Sequence, residues 1–190
     1  MQIGLLGTLA VQDEAGRPVR VGGYRVRMLL ILLALDAGRV VPAHSLIERL
    51  WDGDPPGNSA NSLQALVSRL RTALRQAGLR ADVIESHPAG YRLAVPPGAV
   101  DAVAFEALAR EGSQALASGD AATARRALRE ALGAWRGPAL ADASGARFAA
   151  GPAARLEESR ARAALDLIEA GLALGESDSL IGRASCRERV

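Results

Sequence analysis

Apolar residues at Ile3, Leu5, Leu9 and Val11 alternate with smaller or polar ones, and the run then meets Asp13-Glu14-Ala15-Gly16. With a second extended piece from Pro18 to Val21, this pattern predicts a small β-hairpin turning at Gly16. Gly22-Gly23 ends it. Residues 24–37 are rich in Leu, Ile and Met on most sides, which predicts a helix central to its domain and closed by Gly38. Val40-Val41-Pro42 leads into a short helix from Ala43 to Trp51. Pro42 suits the first helical position, where its missing N–H costs nothing. Leu46, Ile47, Leu50 and Trp51 make the inner face of that helix. Asp52 to Gly57 reads as a loop, and Asn58 or Ser59 can cap a third helix that runs to about Gln76 and stops at Gly78. Residues 82–95 predict a second hairpin, entered by Val83-Ile84, turned at Pro88-Ala89-Gly90 and left through Tyr91 to Val95.

Pro96-Pro97-Gly98 reads as a linker. Beyond it lie three amphipathic helical stretches, at about 101–117, 120–134 and 151–174, punctuated by Gly119, Gly137-Pro138 and Gly175. Alanine-rich helix pairs of this size suggest a tetratricopeptide-like solenoid, although no clean repeat of about 34 residues is visible. The order of elements in residues 1–97 is that of a winged helix-turn-helix preceded by a small sheet. The fold class is therefore an α+β winged-helix domain with small β-sheets over 1–97, followed by an all-α helical domain over 98–178. The tail, 179–190, breaks the pattern and is expected to be non-native, after a truncated helical domain that leaves an apolar edge uncovered.

The third helix carries the chemistry. Leu63, Val67, Leu70 and Leu74 share one face, with Asn61, Ala65, Ser68, Arg69 and Thr72 opposite and Gln64, Arg71 and Arg75 on the flank. No acid occurs from Ser59 to Gln76. A small, polar and basic face suits a helix entering a major groove. Arg69 can fork onto a guanine edge. Arg71, Arg75, Ser59 and Ser62 can reach phosphates. His87, Tyr91 and Arg92 belong to the expected wing.

Composition adjusts this picture. All 23 basic residues are arginine, a coding bias that weakens any argument from arginine alone. Residues 1–100 hold 11 arginines and eight acids, net +3, whereas 101–178 hold nine and twelve, net −3, so the first half is the partner for a polyanion. The longest apolar run, Met28 to Leu35, is too short to span a bilayer, and the first residues lack a signal-peptide pattern. A cytoplasmic protein without membrane contact is expected. A single cysteine, Cys186, excludes a disulfide framework and a cysteine-based zinc site. His44 and His87 have no nucleophile or carboxylate partner by spacing, and capping or a phosphate contact suits them better than catalysis. There is no glycine-rich phosphate loop, and six scattered aromatics make no stacking surface. No enzyme activity, cofactor or metal is expected.

The segment ALVSRLRTALRQAG (65–78) resembles the recognition helix of OmpR-type winged-helix regulators. LIERLWDGDPPGNSANSLQALVSRLR (46–71) resembles the Streptomyces antibiotic regulatory protein (SARP) and AfsR-like family, and HPAGYRLAV (87–95) its wing. Residues 119–142 and 155–175 resemble that family's bacterial transcriptional activation domain. The resemblance implies base reading by Arg69 with Ala65 and Ser68 beside it, a phosphate-side Arg71, and wing closure at Gly90-Tyr91. It also implies direct-repeat operators in double-stranded DNA, recruitment of RNA polymerase through contacts that include its sigma factor, a homodimer on DNA, and control of a biosynthetic gene cluster. Two positions depart from the pattern. His87 stands where the wing tip usually carries arginine, and Leu66 where a tyrosine or polar residue is common. They leave room for a second reading, a protein-interaction scaffold whose winged helix no longer binds DNA.

Overall fold

The computed structural model describes residues 1–175, so the expectations for 179–190 and Cys186 lie outside the described residues. The chain divides into two compact units. One is Met1–Ala104 with Trp135–Leu156. The other is Phe105–Ala134 with the chain from Glu157 onward. The segment Trp135–Leu156, grouped with the helical domain by sequence, thus packs within the first unit.

In the first unit, β1 (Gln2–Gly4) and β2 (Ala10–Gln12) pair antiparallel with Ile3 opposite Val11. The sequence pattern predicts one strand across both. The chain instead reverses between them, with Gly7 at φ 146. The reason lies in Leu5 and Leu6, neighbours that are both fully buried. A straight strand sends neighbouring side chains to opposite faces, and in a strand with one face on the core the turn lets both enter it. The expected reversal at Gly16 follows as a tighter turn. Asp13 Oδ1 accepts from the amides of Ala15 (2.9 Å) and Arg17 (2.8 Å), and Oδ2 accepts from Arg17 Nε (2.7 Å). These bonds, the Arg17 amide foremost, hold the Asp13 carboxyl below the usual carboxylate range.

Helix α1 (Tyr24–Leu35) is the centre of this unit, since every residue from Met28 to Ala34 is buried. Each large apolar side chain so placed contributes roughly 1.5–3 kcal/mol relative to exposure. Next comes β3 (Val40–Pro42), a strand the sequence pattern does not reveal, and then α2 (Ala43–Leu50). Pro42 closes the strand instead of opening the helix, at a sheet edge where its missing N–H is tolerated. Helix α3 (Ser59–Gln76) follows, then β4 (Ile84–His87) and β5 (Gly90–Leu93). The three strands form one antiparallel sheet in the order β3-β5-β4.

The segment from Trp135 closes the turn between β1 and β2. Arg136 N–H donates to the Leu6 carbonyl (2.8 Å) and Leu140 N–H to that of Leu5 (2.9 Å). Leu9 N–H donates to Asp142 Oδ2 (2.9 Å). Asp101 completes the closure: Oδ1 accepts from Leu5 N–H (2.6 Å), and Oδ2 accepts from Leu6 N–H (3.2 Å) and from Arg136 Nη2 (3.0 Å).

The second unit is helical, built from most of α4 (Asp101–Ala117), from α5 (Ala121–Gly133) and from the C-terminal part of α6 (Arg147–Ala173). Asp120 caps α5 by accepting from Thr123 N–H (3.0 Å). A Cβ on Gly112 would lie 2.5 Å from Leu128 Cγ, so α4 and α5 approach closely there. Ser113 Oγ donates to Asp166 and ties α4 to α6. Helix α6 begins four residues before the predicted start and carries Pro152 inside it, at the cost of one backbone hydrogen bond. Leu165, Ile168 and Leu172 form an exposed apolar stripe along α6.

Candidate nucleic-acid interface

Helix α3 begins where Asn58 Oδ1 accepts from Asn61 N–H (3.3 Å), which satisfies one of the helix's unpaired first-turn amides. Five apolar residues, Leu63, Leu66, Val67, Leu70 and Leu74, are buried along one side. Leu66 therefore belongs to the packed face. It lies one helical turn from both Leu63 and Leu70 and has no place on the surface the helix presents.

That surface consists of Ala60, Asn61, Gln64, Ala65, Ser68, Arg69, Arg75 and Gln76, all exposed. Thr72 is half-buried, and its hydroxyl accepts from Arg75 Nη2 (3.1 Å). Ser59 is half-buried at the first turn, and the Ser62 hydroxyl donates to the Asn58 carbonyl (3.0 Å). The eight exposed residues carry no negative charge.

The hairpin β4–β5 lies beside this helix, in the register Ile84–Leu93, Glu85–Arg92, Ser86–Tyr91 and His87–Gly90. One open groove of about 520 Å³ is lined by Arg71 and Arg75 of α3 and by Ser86 and His87 of the hairpin, among others. Arg71 ties the two elements together. Its Nε and Nη2 both donate to the Ile84 carbonyl (3.1 and 2.6 Å), and Nη2 also donates to Ser86 Oγ (3.0 Å). Arg71, expected on the phosphate side of the helix, here rests against the strand, which offers its guanidinium a preformed pair of acceptors. Alternate residues of an antiparallel strand turn their backbone groups away from the partner. Val83 accepts from Ala94 N–H across the hairpin, so the carbonyl of Ile84, one residue on, points outward to meet Arg71.

On the hairpin itself, Arg92 Nε donates to Glu85 Oε2 (2.7 Å), and His87 Nε2 lies 3.3 Å from the same oxygen. Tyr91 is half-buried, opposite Val41 of β3 and Ser86 of β4. Sequence reasoning left Glu85 out of the site. Its signal is present all the same, since Glu85 and Arg92 stand equally far from the Pro88-Ala89 turn and so must face each other across the hairpin. His44 is exposed in the first turn of α2.

Among the described residues, no group of three or more His, Cys, Asp or Glu could hold a metal ion, and no helix is long and apolar enough to cross a membrane.

Comparison with known proteins agrees with this architecture. Residues 17–93 match the family described as transcriptional regulatory protein, C terminal, and residues 100–189 match the bacterial transcriptional activator domain. Regulatory protein DnrI of Streptomyces peucetius is 37% identical over 189 residues, 96% of this chain and 66% of that protein. Transcriptional regulator RedD of Streptomyces coelicolor is 37% identical over 174 residues, 90% of this chain and 49% of its own length. Among solved structures, Mycobacterium tuberculosis EmbR, in complex with a low-affinity phosphopeptide, superimposes with a TM-score of 0.89 at 34% identity and covers 97% of this chain and 49% of that one. The chain thus spans from about half to two thirds of the length of these relatives. With an OmpR-type winged helix followed by a bacterial transcriptional activator domain, the chain belongs to the SARP family of transcriptional regulators.

Proposed function

We propose that this chain binds double-stranded DNA in a sequence-specific way and activates transcription. The observation that carries the reading is the exposed, acid-free face of α3, set beside a hairpin wing and locked to it through Arg71. Helix α3 enters the major groove, where Arg69 forks onto a guanine edge and Asn61, Ala65, Ser68 and Thr72 face the neighbouring bases. Arg75 and the first-turn serines Ser59 and Ser62 meet phosphates. Arg71 acts through the wing by fixing its angle to α3. The wing, with His87, Tyr91 and Arg92, rests on the adjacent backbone or minor groove. Family membership supports direct-repeat operators, recruitment of RNA polymerase including its sigma factor, and pairing of two copies on DNA.

Selection of a random duplex pool, followed by titration of the winners at several salt concentrations, tests this reading. A direct repeat spaced by about one helical turn, 10–10.5 bp, with a steep salt slope, is the expected result. In the same assay Arg69→Ala should cost about 1–3 kcal/mol and relax preference at one base position. Arg75→Ala should weaken all sequences alike and reduce the salt slope by about one. Equal loss on all sequences from Arg69→Ala would make Arg69 a phosphate contact. Indifference of the unmodified chain to sequence would favour the interaction-scaffold reading.

A further inference from the structure

The wing carries a charge arrangement that its expected role does not require. Between Ile84 and Leu93 the permanently charged residues are Glu85 and Arg92, and they are paired with each other. The pair is in direct cross-strand register, with Arg92 Nε 2.7 Å from Glu85 Oε2. His87 Nε2 approaches the same oxygen at 3.3 Å. All three side chains are about one third exposed, at 36%, 36% and 32%. The contacts, Arg92 foremost, hold the Glu85 carboxyl below the usual carboxylate range, so the carboxylate stays ionised at neutral pH. The other acid lining the groove beside the wing, Asp82, is held by Arg80 at 2.6 Å.

A guanidinium gripping a carboxylate oxygen is in the same state as one gripping a phosphate oxygen. Exposed ion pairs add little to stability, so a structural strut is a weak explanation for placing an acid on a surface meant for a polyanion. Resting on the DNA-binding reading above, we propose that Glu85 is an intramolecular competitor for the DNA backbone. It occupies Arg92 in the free protein, and a phosphate gains Arg92 only by displacing it. The wing is thereby electrically neutral until docked, and its backbone attraction is set below what Arg92 alone would provide.

A structural strut and a competitor predict effects of opposite sign. The test is fluorescence anisotropy with two duplexes of equal length, the selected operator and a random sequence, at several salt concentrations. Glu85→Gln keeps the shape and removes the charge. It should tighten binding to both duplexes several-fold and steepen the log–log salt slope by about one. Glu85→Thr, which suits a strand, should do the same. In an Arg92→Gln background the gain from Glu85→Gln should vanish. Unchanged or weaker binding by both Glu85 variants, while the unmodified chain binds well, overturns the competitor and leaves the DNA-binding reading standing. A gain that persists without Arg92 also overturns it, because the effect would then be general charge repulsion. Failure of the unmodified chain to bind either duplex removes the DNA-binding reading and this proposal with it.

Discussion

Replacing Gly90 with alanine is expected to destabilise the first unit by at least about 3 kcal/mol, the upper end of the usual range for overpacking, and to abolish DNA binding. A Cβ built on Gly90 would lie 2.0 Å from the Val41 carbonyl oxygen, 2.8 Å from Ala43 N and 2.9 Å from the Pro42 carbonyl carbon. All three are backbone atoms, so no side chain can rotate away. The contact also lies at the junction of three elements. Gly90 starts β5 opposite Pro42 of β3, and Ala43 N–H, at the start of α2, donates to the Ala89 carbonyl of the turn (2.9 Å). Making room for one methyl group therefore separates the wing from the strand that leads into the helix-turn-helix. Urea unfolding measures the stability loss. Gly57→Ala is the control, since a Cβ there meets nothing within 4 Å. A Gly90→Ala variant within 1 kcal/mol of the unmodified chain would show that the sheet closes less tightly than described.

Asp101→Ala should cost about 2–6 kcal/mol, from roughly 1–3 kcal/mol for each of two amide donors left without an acceptor. The side chain is 18% exposed and serves three donors at once. Its loss strands the amides of Leu5 and Leu6, two fully buried residues, and leaves the Arg136 guanidinium with the Thr8 carbonyl at 3.0 Å. A buried donor without an acceptor carries its full desolvation cost. Asp101→Asn keeps one oxygen for the Leu5 amide but turns an N–H₂ group toward the remaining donors, so it should fall between the unmodified chain and the alanine variant. Hydrogen exchange gives a local reading: the Leu5 and Leu6 amides should lose protection first. A loss below 1 kcal/mol in Asp101→Ala would rule out Asp101 as the fastening of this turn.

The contrast between these two sites shows what the amino-acid pattern reveals. Helix α3 was legible almost to the residue, because Leu63, Val67, Leu70 and Leu74 recur at helical spacing between a capping Asn58 and Gly78. The turns at Gly16 and Pro88-Ala89 were legible from their residue types. β3 was not, since three residues carry no periodicity and its partner lies about fifty positions away. The reversal at Gly7 was hidden for a related reason. Consecutive Leu5 and Leu6 look like part of a strand until their joint burial is known. Asp101 and Arg136 give no sign at all, for their partners are backbone amides and carbonyls near the other end of the chain. The candidate DNA-facing residues followed from the wheel of α3, but the engagement of Arg71 with Ile84 and Ser86 depends on where the wing comes to rest.

That engagement has a second consequence, for solubility. β4 is an outer strand of its sheet, and an outer strand with free carbonyls is a template on which another chain can add a strand. The Ile84 carbonyl is an outward-turned acceptor at the start of β4, and Arg71 covers it with two N–H groups. A bulky cation seated on a sheet border also holds off the flat approach that edge-to-edge association needs. The residue that sets the angle of the wing thus also guards the molecule against sticking to copies of itself, and preparations lacking this arginine should cloud at lower protein concentration.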